Sequence, residues 1–201
     1  MRKSLDTRLY GRKAIITQRL EKVQLLILAH TTKPLELAGR KLMEKSLLKP
    51  FAGSVGRRHL INTLTSQPLI RDQNLAVVVS RRVKLEAIPA GTKIIQQGAS
   101  DADLFLILEG AFSIVVDGHI VARKKAGEHV GEMSVIDPHM PRSASVTATS
   151  DSIVARITEP DFSTLADRFP QLWRRIALEL AGRLRQEYAG DRAREKAGRA
   201  A

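Results

Sequence analysis

Read for the spacing of apolar and polar positions, the chain changes texture twice. Near the start, Ile16, Leu20, Val23 and Ile27 recur at helical spacing, but Leu25, Leu26 and Leu28 lie off that stripe. A helix there would be apolar nearly all round and would need a partner. Lys33-Pro34 ends it. Residues 1–48 are therefore expected as a basic extension, helical or poorly ordered. Met43 within it opens a stretch that a true translation start would explain; an ordinary helical arm explains it equally well. Gly53 to Gly56 reads as a loop. Arg57 to Thr65 predicts a helix with Leu60, Ile61 and Leu64 inward, and Leu75 to Val83 a second with Leu75, Val78, Val79 and Val83 on one face. Residues 49–83 are thus an N-terminal helical lead-in.

From Lys84 the pattern becomes short apolar runs broken by turns: LEAI, TKII, LFLIL, AFSIVV, HIVAR, SVTA and SIVARI. Asp117-Gly118 between two such runs is a strong hairpin signal. Strands of this length and spacing predict an antiparallel β-barrel or jelly roll over residues 84–158. Helical spacing returns at Glu159 to Arg168 and at Pro170 to Tyr188, where Leu172, Trp173, Ile176, Leu180 and Leu184 form an apolar stripe. The arginines of WRRIALELAGRLR are expected on solvated faces. Residues 159–188 are C-terminal helices, and residues 189–201, small and charged, are expected to fray. The fold class is α+β: a jelly roll with flanking helices and a long C-terminal helix.

Composition removes several function classes. The 201 residues are 43% hydrophobic and 27% charged, enough apolar content for a core. There is no cysteine, so thiol nucleophiles, disulfides and cysteine-ligated zinc are excluded. No run of 18 apolar residues occurs, and the basic start lacks a secretory pattern; a membrane partner is not expected and the expected compartment is the cytoplasm. The net charge of +12 raises nucleic acid as a partner, but +8 of it falls in residues 1–50, while residues 81–160 sum to −1. A nucleic-acid surface across the central domain is not expected.

The stretch Val130 to Ala148, VGEMSVIDPHMPRSASVTA, carries the chemistry. Gly131 lets backbone approach a ligand closely. Glu132 opens a short helix, EMSVI, whose first amides favour an anion. Arg142 can pair with phosphate oxygens, and Ser143 adds a hydroxyl. A carboxylate beside an anion site would repel phosphate unless the ligand also offers donors such as ribose hydroxyls. The set is compatible with a ligand carrying one phosphate and one free hydroxyl, without demanding it.

Gly131-Glu132-Met133-Ser134-Val135 and Arg142-Ser143-Ala144-Ser145 resemble the two halves of the phosphate-binding cassette of cyclic nucleotide-binding domains. These are the sensors of catabolite-activator-type regulators, protein kinase regulatory subunits and gated channels. Gly91, Gly98 and Gly110 fall where that family turns its strands, and the resemblance covers about residues 57–188. It implies a ligand site of Gly131, Glu132, Met133, Ser134, Arg142, Ser143 and Ala144. In that site Glu132 accepts from the ribose 2′-hydroxyl, Arg142 pairs with the cyclic phosphate, and the amides of Met133, Ser134 and Ser143 cradle it. Ser143 leans away from cGMP. A C-terminal helix covers the base in several members, which makes Trp173, Glu187 and Tyr188 candidates for a lid. PFAGSVGRRHLINTL, HVGEMSVIDP and RITEPDFSTLADRFPQLWRRIALELAGRL are also similar to bacterial domains that precede TIR-like effectors, some in anti-phage systems using cCMP or cUMP.

The expected function is a non-enzymatic cyclic nucleotide sensor, with no cofactor and no metal, that signals through its C-terminal helix to an effector protein or domain. A homodimer through Leu172 to Leu184 is compatible with the stripe; so is packing of that face on the barrel, and Trp173 with the stripe fits core or dimer packing better than a lid. The alternatives are a scaffold that has lost its ligand, with Glu132 and Arg142 bridging to close a loop, and a transcriptional regulator whose DNA-binding domain is not in this chain. His119, His129 and His139 recur every ten residues but lack the His-x-His of metal-dependent jelly rolls. Asp161 and Asp167 do not share a helix face, and Ser134 and Ser143 lack a His-Asp arrangement, so acid–base and nucleophilic catalysis are not expected.

Overall fold

The computed structural model describes residues 38, 39 and 41–199, without the side chains of Glu187 and of residues 190–199. The apolar stripe from Ile16 to Ile27 lies outside the described residues. The chain divides into two compact units, Met1–Ser46 and Leu47–Ala201. Of the first, residues 41–46 are helical.

The second unit opens with a 3-10 turn at Lys49–Phe51, then α1 (Gly53–Ser66) and α2 (Gln73–Val79). α1 starts earlier than its glycines predict. Gly56 sits inside the helix because a Cβ there would lie 2.1 Å from the Phe51 carbonyl carbon. The residue type that reads as a loop serves a close approach instead. Leu60 and Leu64 face inward as expected, with Ile61 half-buried. Asp72 caps α2, its side chain accepting from the Leu75 amide at 2.7 Å. α2 ends at Val79, so Val83 packs from the following turn rather than from the helix.

Eight strands follow: β1 (Lys84–Ile88), β2 (Lys93–Ile95), β3 (Leu104–Glu109), β4 (Ala111–Val116), β5 (His119–Lys125), β6 (His129–Val130), β7 (Ser145–Ala148) and β8 (Ser152–Ile157). Seven match the apolar runs. β6 has two residues, too short to show a period. The pairing gives two four-stranded antiparallel sheets, in orders β1-β8-β3-β6 and β2-β7-β4-β5, rather than a closed barrel. Asp117 and Gly118 join β4 to β5 with φ of 50° and 81°, the signs a type I′ hairpin turn requires.

β3 shows why a continuous apolar run was needed. Its residues alternate between two cores, so every position from Leu104 to Leu108 is buried. Phe105 and Ile107 face the second sheet with Phe112, Val130, Val146 and Val154. Leu104, Leu106 and Leu108 face a helical layer of α1, α2, α4 (Glu159–Arg168) and α5 (Gln171–Arg199). Each such buried side chain contributes roughly 1.5–3 kcal/mol.

α5 is anchored by its first turns. Leu172 and Ile176 are fully buried and Leu180 partly, while Leu184 is 48% exposed. Four of the stripe's five positions, Leu172, Trp173, Ile176 and Leu180, are therefore used within the domain itself. The helix continues past Tyr188 to Arg199 instead of ending where the small, charged residues begin. Ala, Glu, Lys and Arg there are good helix formers. Among the described residues, no helix is long and apolar enough to cross a membrane.

Candidate functional site

β6 runs into α3 (Glu132–Ile136) through Gly131. Gly131 has φ 92°, and a Cβ there would fall 2.5 Å from the Asp103 carbonyl and 2.9 Å from Arg142 Nη1. Only glycine fits this conformation and this crowding. The loop after α3 then returns to β7, placing Arg142 just ahead of that strand.

Between these two halves lies a cavity of about 710 Å³. Ile114 and Val116 of β4 and Ala122 and Lys124 of β5 line one side. Gly131, Glu132, Met133 and Ser134 line another, with Arg142, Ser143 and Ala144 beside them. Leu180, Arg183 and Leu184 of α5 close the remaining side. All seven site residues expected from the sequence therefore meet on one cavity. Met133 and Ser134 bring first-turn amides, which have no acceptor within a helix. The Ser143 hydroxyl donates to Met133 Sδ at 3.6 Å.

Glu132 and Arg142 do not bridge to one another. Arg142 is 3% exposed. Its Nε and Nη2 donate to Asp101 Oδ2 at 3.1 and 2.5 Å, Nη2 also to the Asp103 carbonyl at 2.8 Å, and Nη1 weakly to the Gly131 carbonyl at 3.4 Å. Asp103 is in turn held by Arg156, whose Nε donates to Oδ2 at 2.5 Å. Burial works against the charge of Arg156, but Asp103 and Glu86 outweigh it and raise its pKa. Nη1 is the arm of Arg142 with only a long bond.

Glu132, 5% exposed, is compensated from α5: Arg183 Nη1 donates to its Oε1. Arg183 Nη2 donates to Glu179 Oε1 at 2.5 Å, one turn back on the same helix. Burial disfavours the Arg183 charge, yet Glu132 and Glu179 prevail and its pKa is raised. Glu179 further lies 3.8 Å from Lys124 Nζ and 3.3 Å from His129 Nε2. His129 is 3% exposed, and its Nε2 has no hydrogen bond. Burial pushes its pKa down, against the pull of Glu179 and Glu132. On the far side of Lys124, burial would raise the Glu128 pKa, but the hydrogen bonds and charges of Lys124 and Lys125 lower it overall.

Three expectations need correction. The arginines of α5 are not all solvated: Arg183 serves the cavity, and Arg175 donates to the Leu69 and Ile70 carbonyls. Trp173 is not at the cavity; it packs edge-on against Phe162 at 5.2 Å, on the helical core. Tyr188 is 58% exposed and does not line the cavity either, while the Glu187 side chain lies outside the description. The helix covers the cavity with Leu180, Arg183 and Leu184 instead, one turn or more ahead of Tyr188. Asp101, Glu179 and Arg183 escaped sequence reasoning. For the last two a signal existed, since Glu179 and Arg183 stand at i and i+4, the spacing of a helical ion pair.

Residues 85–169 match the family model described as "Cyclic nucleotide-binding domain". They form a cyclic nucleotide-binding domain. The chain is 42% identical over 139 residues to the Pycsar effector protein BcPycTIR of Burkholderia cepacia, covering 69% of this chain and 46% of that protein. It is 40% identical over 139 residues to XpPycTIR of Xanthomonas perforans, again covering 46% of that protein. The chain thus spans about half the length of these curated relatives. Among solved structures, the catabolite activator protein of Thermus thermophilus superposes with a TM-score of 0.57 at 27% identity, covering 62% of this chain and 61% of that one. The chain therefore carries a cyclic nucleotide-binding domain of the regulatory kind, related to Pycsar effectors.

Proposed function

We propose that the cavity takes a 3′,5′-cyclic mononucleotide, with the phosphate on Arg142 and the ribose 2′-hydroxyl on Glu132. The observation that carries this reading is the placement of a buried guanidinium and a buried carboxylate on one cavity, the first with one arm on only a long bond and the second with one oxygen bonded by Arg183. The amides of Met133, Ser134 and Ser143 complete the phosphate cradle, and Gly131 and Ala144 leave room for it. The base lies along Ile114 and Val116, beneath Leu180 and Leu184.

Ligand entry reaches α5 through Glu132 and Arg183, and the shift of that helix is read by an effector protein or domain. Such coupling requires the nucleotide to bind more tightly in one helix position than in another. The ligands are cAMP, cCMP and cUMP, with cGMP disfavoured by Ser143. The likeness to Pycsar effectors supports the cyclic pyrimidines and a role in antiviral defence. The chain acts as a sensor rather than an enzyme.

Calorimetric titration with cAMP, cGMP, cCMP and cUMP tests the reading. Binding of one of them should weaken by about 1.5–3 kcal/mol in Arg142→Ala, the contribution of a charged hydrogen bond. Unchanged affinity in that variant would remove Arg142 from the site. No binding by the wild type would leave a domain whose cavity residues serve only each other.

A further inference from the structure

The way Arg183 divides its donors has a consequence for the sugar. The Glu132 side chain is 7% exposed, and its Oε1 accepts from Arg183 Nη1. Among the described residues no hydrogen bond reaches Oε2. A guanidinium facing a single carboxylate favours two parallel N–H···O bonds. Closed on Glu132 in that way, Arg183 would occupy both oxygens and leave none for a ligand hydroxyl.

Arg183 is prevented from doing so by Glu179, which accepts its Nη2 at 2.5 Å. Glu179 is itself held in place. Lys124 Nζ stands 3.8 Å from its Oε1, and His129 Nε2 stands 3.3 Å from its Oε2. Lys124 is fixed in turn by Glu128 at 3.0 Å. The carboxylate on the last helix thus competes for one arm of Arg183 from a position set by β5 and β6.

We propose that Glu179 is a positioning residue for sugar recognition: by taking the second arm of Arg183 it keeps one oxygen of Glu132 open to the ribose 2′-hydroxyl. This rests on the reading that the cavity binds a cyclic nucleotide. Without Glu179, Arg183 closes on Glu132, and the hydroxyl must displace a charge-assisted bond. The loss falls on the ribose hydroxyl alone. A ligand lacking that hydroxyl is indifferent to Glu179.

The test is a ligand-deletion cycle by calorimetry, using cAMP and cCMP, each beside its 2′-deoxy analogue, on wild type, E179A and E179A/R183Q. Wild type should bind a ribonucleotide roughly tenfold more tightly than its deoxy analogue. E179A should abolish that preference while leaving the deoxy affinity unchanged. Removing Arg183 as well should restore part of the preference, because nothing then covers Oε2. Equal losses for both analogues in E179A would overturn the proposal, as would no recovery in the double variant. A wild type without a ribose preference would overturn it too. A wild type that binds no ribonucleotide and no deoxy analogue would instead bring down the cyclic nucleotide reading on which it rests.

Discussion

The two ends of the cassette are held by different parts of the molecule. Arg142 is fixed by Asp101 and by the carbonyls of Asp103 and Gly131, all within the β-roll and its loops. Glu132 is fixed by Arg183, from the last helix. The anion-binding end is therefore built into the sheets, while the carboxylate end is tied to an element that contributes one wall of the cavity. α5 is fully buried at Leu172 and Ile176 and packs in part through Trp173 and Leu180; by Leu184 it is half-exposed. An element anchored at one end and linked to the site by an ion pair beyond that anchor is suited to report occupancy.

The largest way to break this contrast is at Arg142. Arg142→Ala should reduce nucleotide affinity by about 10- to 150-fold, the equivalent of one charged hydrogen bond. It should also lower stability by about 1–3 kcal/mol, since the carbonyls of Asp103 and Gly131 lose their donor. Paired binding isotherms and urea unfolding check both parts. A loss of binding with no loss of stability would show that Arg142 is not part of the framework.

Gly131→Ala is the next perturbation. The left-handed backbone alone should cost about 1–2 kcal/mol, and the close Asp103 carbonyl adds to it. Denaturant unfolding measures the change. Stability equal to that of the wild type would mean that the turn into α3 is free to reshape.

On the helix side, His129 introduces a pH dependence. Burial depresses its folded pKa below the ordinary value of 6.5. The unfolded chain therefore takes up a proton first as pH falls. Stability from this group is full above 6.5 and declines as pH drops below it toward the folded value. His129→Phe should flatten that part of a stability–pH profile, whereas a variant that retains the wild-type slope would assign it to other groups. The smallest effect is expected at Arg82, whose pairing with Asp161 at 2.9 Å is largely exposed. Arg82→Ala should change stability by less than about 1 kcal/mol, and less still in high salt. A larger loss in thermal unfolding would show that α4 depends on that pair.

The cassette was legible because its chemistry is local: Gly131, Glu132, Arg142 and Ser143 stand in one short stretch, and their types restrict what they can bind. The strands were legible for a similar reason, since β3 and β8 show their burial as continuous apolar runs. The partners of the site were not. Asp101 meets Arg142 from a loop 41 residues earlier, and Arg183 meets Glu132 from a helix 51 residues further on. Neither meeting leaves a period or a motif. Trp173, by contrast, was legible: the apolar stripe it belongs to favoured core or dimer packing over a lid, and it packs on the helical core. Gly56 misled, its small size serving helix entry beside Phe51 rather than a loop.

The carboxylate end of the cavity is tied to the last helix through Arg183, and the Arg142 end is not. Amide hydrogen exchange along α5, with and without saturating amounts of whichever of cAMP, cGMP, cCMP and cUMP binds most tightly, tests it most directly. In the wild type, exchange around Glu179 to Leu184 should change on binding; in Arg183→Gln, the same nucleotide should still bind through Arg142 while α5 stays as it was. Identical exchange with and without nucleotide in the wild type, or an unaltered response in Arg183→Gln, would contradict the account.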